Sequence, residues 1–150
     1  MTTFHPSPTD AIIELLGGKK VITSPVRNGL DLVQAAQAGV PVAAVRHLQK
    51  HLRFTNREMS EALSISESTL ARREQAQGLL TRDESEKAIQ LSAVLAHGLE
   101  VFENEPDFHR WLQFENPALG GLRPQALLSS ALGREQVREV LGRIQWGIFS

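Results

Sequence analysis

The chain has 150 residues, no cysteine and a formal net charge of −1 at pH 7. That length supports one sizeable core, or two small helical modules sharing one. The lack of Cys excludes a disulfide framework and a thiolate metal site. No apolar run approaches a membrane span, and the amino end, MTTFHPSPTD, is not that of a signal peptide. A soluble cytoplasmic protein is the expectation.

In chain order, Ser7-Pro8-Thr9-Asp10 opens a first helix, AIIELLG, which Gly17-Gly18 stops. Lys19 to Gly29 reads as irregular or briefly extended, with Pro25 and Gly29 as breakers. Asp31 begins a second helix, LVQAAQA, ended by Gly39. Pro41 fits the first turn of a third helix, in which Val42, Val45, Leu48 and Leu52 recur at helical spacing.

The stretch Thr55 to Arg73 carries the clearest pattern. Thr55 and Glu58 form a capping box at the start of a short helix. Met59, Leu63 and Ile65 face inward, and small Ser60 lies where a second helix would cross closely. Ser64-Ile65-Ser66 supplies a turn, and Ser66 caps a helix from Glu67 to about Ala76 that must bury Leu70. Its exposed face is expected to carry Glu67, Ser68, Thr69, Arg72 and Arg73. Two short helices and a tight turn of this kind make a DNA-binding helix-turn-helix, whose second helix enters the major groove. Arginines suit phosphates or guanine edges, and Ser or Thr hydroxyls suit phosphate oxygens or base edges. The candidate DNA-binding residues are Thr55, Asn56, Ser66, Ser68, Thr69, Arg72 and Arg73.

Charge supports this placement. Val42 to Arg82 contains seven Lys/Arg (46, 50, 53, 57, 72, 73, 82) and four Glu (58, 61, 67, 74), a net +3. The other residues carry nine against thirteen, a net −4. The basic segment coincides with the helix-turn-helix. Its charge is modest, so a single copy should bind weakly and a dimer would double the contact.

Thr81 to Glu84 is a second capping box, starting the longest helix, to about Phe102. Glu103-Asn104-Glu105-Pro106 interrupts it and is the candidate module boundary. A short helix DFHRWLQ follows, then the loop NPALGGLRP. Gln125 to Leu132 reads as a helix broken by Gly133, and Glu135 to Ile144 as the last one. No strand, internal repeat or low-complexity tract stands out. The fold class is therefore all-α: 1–29 an amino-terminal helix and irregular segment, 30–102 a helix-turn-helix bundle, and 103–150 a small helical module.

The ending is chemically unusual. Ile144, Trp146, Ile148 and Phe149 crowd a terminus that is ordinarily polar and frayed. Such side chains need burial in this chain's own core or in a partner; composition slightly favours the core, although aromatics also dominate interface hot spots.

Trp111-Leu112, Asn116-Pro117-Ala118-Leu119-Gly120-Gly121, Arg123-Pro124, Leu127-Leu128, Gly133, Val137, Leu141, Arg143-Ile144 and Trp146-Gly147 together resemble the toxin-binding domain of Xre/MbcA/ParS-type antitoxins. An Xre-like helix-turn-helix followed by this module also fits the family's order of elements. The likeness covers most of residues 30–150 and is strongest over 111–150. It implies a binding protein and no enzyme, with no cofactor. Antitoxins of this type pair with a RES-domain toxin that depletes cellular NAD, and their carboxy-terminal region blocks its active site. They also bind operator DNA at their own promoter, are generally homodimers, and assemble with toxin into larger complexes. Carried onto this chain, the resemblance places Trp146, Gly147, Ile148, Phe149 and Ser150 at the toxin. Arg123 and Arg143 are polar candidates for acidic groups on it. Trp146 departs from the smaller aromatic or polar residue expected there.

Other readings have less support in the residues. His47 and His51 lie four apart on one helix, a spacing that can hold zinc, but no third ligand is evident. No nucleophile setting or phosphate loop is recognisable. A ligand-sensing repressor, a stand-alone helix-turn-helix regulator and an adaptor without a toxin partner are the alternatives.

Overall fold

The computed structural model describes residues 7–147. Among them lie eight α-helices and no sheet: α1 (Pro8–Leu15), α2 (Gly29–Ala38), α3 (Ala43–Leu52), α4 (Asn56–Leu63), α5 (Glu67–Gln75), α6 (Arg82–Phe102), α7 (Glu105–Gln113) and α8 (Ala131–Gln145). Two 3₁₀ turns, Pro117–Leu119 and Pro124–Leu127, join α7 to α8. None of the described helices is long and apolar enough to cross a membrane.

The 21-residue α6 is the axis of the molecule. It packs against α1, α2, α3, α4, α7 and α8, so one hydrophobic core runs from Ile12 to Leu141. Its sequence allows this because small or apolar residues line most of its circumference: Ala88, Leu91, Ser92, Val94, Leu95 and Gly98 are all buried. Ser85 and Ser92 are buried without cost because Ser85 Oγ accepts from the Val40 amide and Ser92 Oγ donates to the Ala88 carbonyl. Phe108 of α7 lies against Gly98, where a Cβ would come within 2.3 Å of its ring. Phe102, Phe108 and Trp111 form one aromatic cluster with ring centroids 5.6–6.0 Å apart.

Side-chain caps account for most helix starts. Ser7, Asn28, Thr55, Ser66, Thr81, Asn104 and Ser130 each accept the backbone N–H three residues on. Both expected capping boxes form, with the Thr55 and Thr81 amides donating to Glu58 and Glu84 at 2.9 and 2.8 Å.

Three sequence expectations need correction. Gly29 is the first residue of α2 and no breaker, because Asn28 caps the helix and Asp31 Oδ2 accepts the Arg27 amide. Pro41 lies outside α3, which begins at Ala43. Val40 and Val42 are held by backbone bonds to Leu80 and Gly78, making an isolated antiparallel bridge between Pro41 and Leu79. Gly133 breaks nothing and sits inside the first turn of α8, donating its amide to Ser130 Oγ. The segment before it is a 3₁₀ turn instead of a helix to Leu132. A Cβ on Gly133 would lie 1.9 Å from the Leu127 carbonyl oxygen, so glycine is there for close approach.

Candidate nucleic-acid and partner-binding surfaces

α4 and α5 form the helix-turn-helix that their sequence predicts. Met59, Leu63, Ile65 and Leu70 are buried, with Leu70 only 1% exposed. Ser64 takes a left-handed conformation (φ 55°) at the turn, and Ser60 Oγ donates to the Ile65 carbonyl. The small hydroxyl thereby satisfies a turn carbonyl at the helix crossing.

The amino ends of both helices meet at one cleft of about 310 Å³, lined by Arg46, Asn56, Glu67, Ser68, Leu70 and Ala71. Asn56 is the first residue of α4, while Glu67 and Ser68 open α5. The free amides and helix dipoles at such ends favour anions. Asn56 is oriented by neighbours that sequence reasoning left out of the site. Arg46 Nη1 and Gln49 Nε2 donate to its Oδ1 at 3.2 and 2.8 Å, and Arg46 Nε also binds Glu74 at 2.5 Å. With Oδ1 occupied twice, the Asn56 amide nitrogen is left as the outward donor. Only proximity in the fold joins positions 46, 49, 56 and 74.

Thr55 and Ser66 serve as caps, their hydroxyls accepting from the Glu58 and Thr69 amides at 3.1 Å. Ser66 Oγ also donates to Thr69 Oγ1 at 2.8 Å, so Thr69 is partly buried and tied to the turn. Ser68 and Arg72 are exposed one turn apart on α5, together with Ala71 and Gln75.

Arg73 does not share that exposed face. Its Nη1 binds Glu84 Oε1 at 2.5 Å, with side-chain exposures of 27% and 18%. The last turn of α5 lies over the capping box of α6, so Arg73 fastens α5 to the axial helix. Burial pushes the Glu84 carboxyl up, but the Thr81 amide, the Arg73 side chain and the Thr81 hydroxyl together hold it below its ordinary value. Of the seven cations of this segment, Arg46, Arg57, Arg73 and Arg82 have a carboxylate within 4 Å among the described residues; Lys50, Arg53 and Arg72 have none.

The two histidines considered for zinc are separated in role. His51 Nδ1 lies 2.7 Å from Glu105 Oε2 at the start of α7, and His47 is exposed. Among the described residues no three His, Asp or Glu side chains gather as a cation site.

The carboxy-terminal module is built around a closed loop. Asn116 caps the first 3₁₀ turn, and Gly120 and Gly121 take left-handed conformations (φ 67° and 83°). The loop closes through Asn116 N to the Leu122 carbonyl, at 3.0 Å. Leu119 is the buried plug, so the Asn-Pro-Ala-Leu-Gly-Gly residues act mainly in shape. Arg123 is exposed, just ahead of the second 3₁₀ turn. Arg143 is half-buried, its Nη2 3.6 Å from Glu139 Oε1 one turn back. Trp146 is 76% exposed, against the slight preference of composition for this chain's own core. It caps the end of α8, past the last fully buried residues Val140 and Leu141 and the partly buried Ile144, so the described residues leave most of its indole uncovered. Gly147 is also exposed (φ 68°). Ile148, Phe149 and Ser150 lie outside the described residues.

The model of the antitoxin Xre-like helix-turn-helix domain matches residues 31–92, and that of the antitoxin Xre/MbcA/ParS C-terminal toxin-binding domain matches residues 97–147. The chain belongs to the Xre/MbcA/ParS-type antitoxins. This antitoxin is similar to Antitoxin Xre of Photorhabdus laumondii, at 26% identity over 87% of this chain and 89% of that protein. Antitoxin Xre of Yersinia enterocolitica matches at 25% identity over the full length of both chains. A Sphingobium protein described as a Prs ADP-ribosylating antitoxin is 23% identical over 81% of this chain and 82% of its own. A chain of the M. tuberculosis MbcT–MbcA toxin–antitoxin complex shares the fold, with a TM-score of 0.54 at 20% identity. It aligns over 83% of this antitoxin and 100% of that chain.

Proposed function

We propose that this antitoxin binds a RES-domain, NAD-depleting toxin with the end of α8 and the residues after it, occluding the toxin's active site. We further propose that it represses its own operon by placing α5 in the major groove. The observation that carries the first part is the exposed Trp146, a large apolar side chain at the end of a packed helix that the described residues leave 76% exposed. Gly147 follows it and Arg143 flanks it one turn back; the proposed contact also takes in Ile148, Phe149 and Ser150, which lie outside the described residues. Arg123 is offered to acidic groups from the neighbouring loop.

For DNA, Ser68 and Arg72 contact base edges or phosphates. Asn56 and the uncapped amides at the starts of α4 and α5 clamp phosphate, while Thr55 and Ser66 fix those starts by capping the Glu58 and Thr69 amides. Arg73 acts through Glu84 by fixing the helix. A homodimer presents two recognition helices to an operator with an inverted repeat. The protein acts in the cytoplasm, where both NAD and operator are, and it has no catalytic role.

The test is intracellular NAD after expression of the neighbouring gene's product, with and without the antitoxin. Collapse alone and rescue by co-expression support the reading. No change in either arm overturns the toxin pairing and leaves a stand-alone regulator.

A further inference from the structure

Arg134 is the buried cation of the carboxy-terminal module, 5% exposed in the first turn of α8. Its hydrogen bonds all go to neutral oxygens. Nε and Nη2 both donate to Gln90 Oε1, at 3.0 and 2.7 Å, and Nη1 donates to the Leu128 carbonyl at 2.9 Å. A guanidinium carries five N–H groups, so two remain, on Nη1 and Nη2. Among the described residues no carboxylate lies within 4 Å of it. A buried charge without a counter-charge is costly, and burial accordingly lowers the tendency of this group to hold its proton.

The side chain is not sealed in. It forms one wall of a groove of about 600 Å³ between α6 and α8, lined also by Ala93, His97, Glu135, Arg138 and Glu139. His97 offers a second loose end there: its Nδ1 is buried without a partner, while Nε2 lies 3.0 Å from Gln145 Oε1. Positions 135, 138–139, 142 and 146 recur at helical spacing, so the α8 residues that line the groove share one helix face with Gly142 and Trp146. Gly142 leaves that face low. The distance along the axis from Arg134 to Trp146 is about 18 Å at 1.5 Å per residue.

We infer that this groove receives an acidic side chain of the toxin, whose carboxylate pairs with the two free donors of Arg134. The inference rests on the toxin-binding reading and extends the contact surface from the end of α8 back along the helix to its first turn. One N–H left on each of Nη1 and Nη2 gives as many donors as a carboxylate has oxygens. Arg138 at the rim adds attraction for an incoming acid, whereas Glu135 and Glu139 favour a single inserted carboxylate over a broadly acidic surface. The charge is thus satisfied between the two proteins and not within one.

The test compares wild type, Arg134→Met, Arg134→Lys and a chain ending at Gln145, using purified toxin in calorimetry and each free antitoxin in thermal melts. Methionine fills the same space without charge, so the free protein should melt at or above the wild-type temperature. Toxin affinity of Arg134→Met should fall by about 100-fold, with partial recovery in Arg134→Lys. Wild-type affinity in Arg134→Met, with the shortened chain binding weakly, overturns the inference and leaves the toxin-binding reading standing. A lower melting temperature with unchanged toxin affinity assigns Arg134 a purely internal role and overturns it as well. Stabilisation of free wild type by millimolar acetate or phosphate, lost in Arg134→Met without any change in toxin affinity, would make the groove a small-anion site and overturn the toxin as its source. No binding of toxin by wild type overturns both readings together.

Discussion

Gln125 Nε2 donates to Glu58 Oε2 at 2.5 Å across 67 residues of sequence. Glu58 is the capping-box acid of α4, in the helix-turn-helix, and Gln125 belongs to the 3₁₀ turn that leads toward α8. One carboxylate therefore serves the helix-turn-helix with one oxygen and the carboxy-terminal module with the other. Burial pushes its carboxyl up, but the Thr55 amide, the Gln125 and Thr55 side chains and the nearby His109 together hold it below the ordinary value of 4.5.

Acid should loosen both capping boxes. Glu58 and Glu84 titrate lower in the folded chain than unfolded, so the native state binds fewer protons. Their stabilisation is complete above 4.5 and is lost as pH falls through the folded values. Melting temperature should drop below about pH 4.5, and Glu58→Gln with Glu84→Gln should flatten that decline. A double variant with the wild-type acid slope would show that other carboxylates set it.

The two adjacent arginines of α5 should behave differently. Arg72→Ala should weaken operator binding and reduce its salt slope by about one, with the melting temperature unchanged. Arg73→Ala should instead destabilise the fold by about 2 kcal/mol, since it strips a partly buried carboxylate of its partner. A double-mutant cycle with Glu84→Ala should return most of that as coupling. Full stability in Arg73→Ala would refute the fastening role.

Gly98→Ala and Gly133→Ala should both destabilise, although alanine is the better helix former by about 1 kcal/mol. The new methyl at 98 would meet the buried Phe108 ring, and that at 133 the Leu127 carbonyl. We expect a net loss of about 1–3 kcal/mol each from overpacking, read from denaturant midpoints. A stabilised variant at either site would mean the neighbour yields easily.

Trp146→Ala should leave the folding stability within about 0.5 kcal/mol of wild type, as for other exposed substitutions. Toxin affinity should fall by about 2 kcal/mol or more, as expected of an aromatic anchor. Deleting Trp146 to Ser150 should abolish neutralisation while operator binding survives. Unfolding of the shortened chain would return the tail to the core.

An operator footprint should show an inverted repeat with half-site centres about 34 Å apart, one helical turn or a multiple of it. Protection of a single unrepeated half-site would count against the dimer.

Much of this antitoxin is determined locally by its sequence. Caps and capping boxes need only residues three apart, so the starts of α1, α4, α5 and α6 are legible from Ser7, Thr55, Ser66 and Thr81. The helix-turn-helix follows from apolar spacing at Met59, Leu63, Ile65 and Leu70, and the carboxy-terminal module from a pattern dense in Gly and Pro. Only the tertiary structure decided how charged and glycine residues are used, because their partners lie far away in sequence. Arg72 and Arg73 are equivalent by periodicity until Glu84 claims one of them. Gly133 signals a break until the Leu127 carbonyl shows that it marks a close approach. Composition slightly favours burying Trp146 until the core ends one turn earlier and leaves it in solvent. Periodicity reports which face a residue occupies, but pairing and exposure depend on what the fold brings against that face.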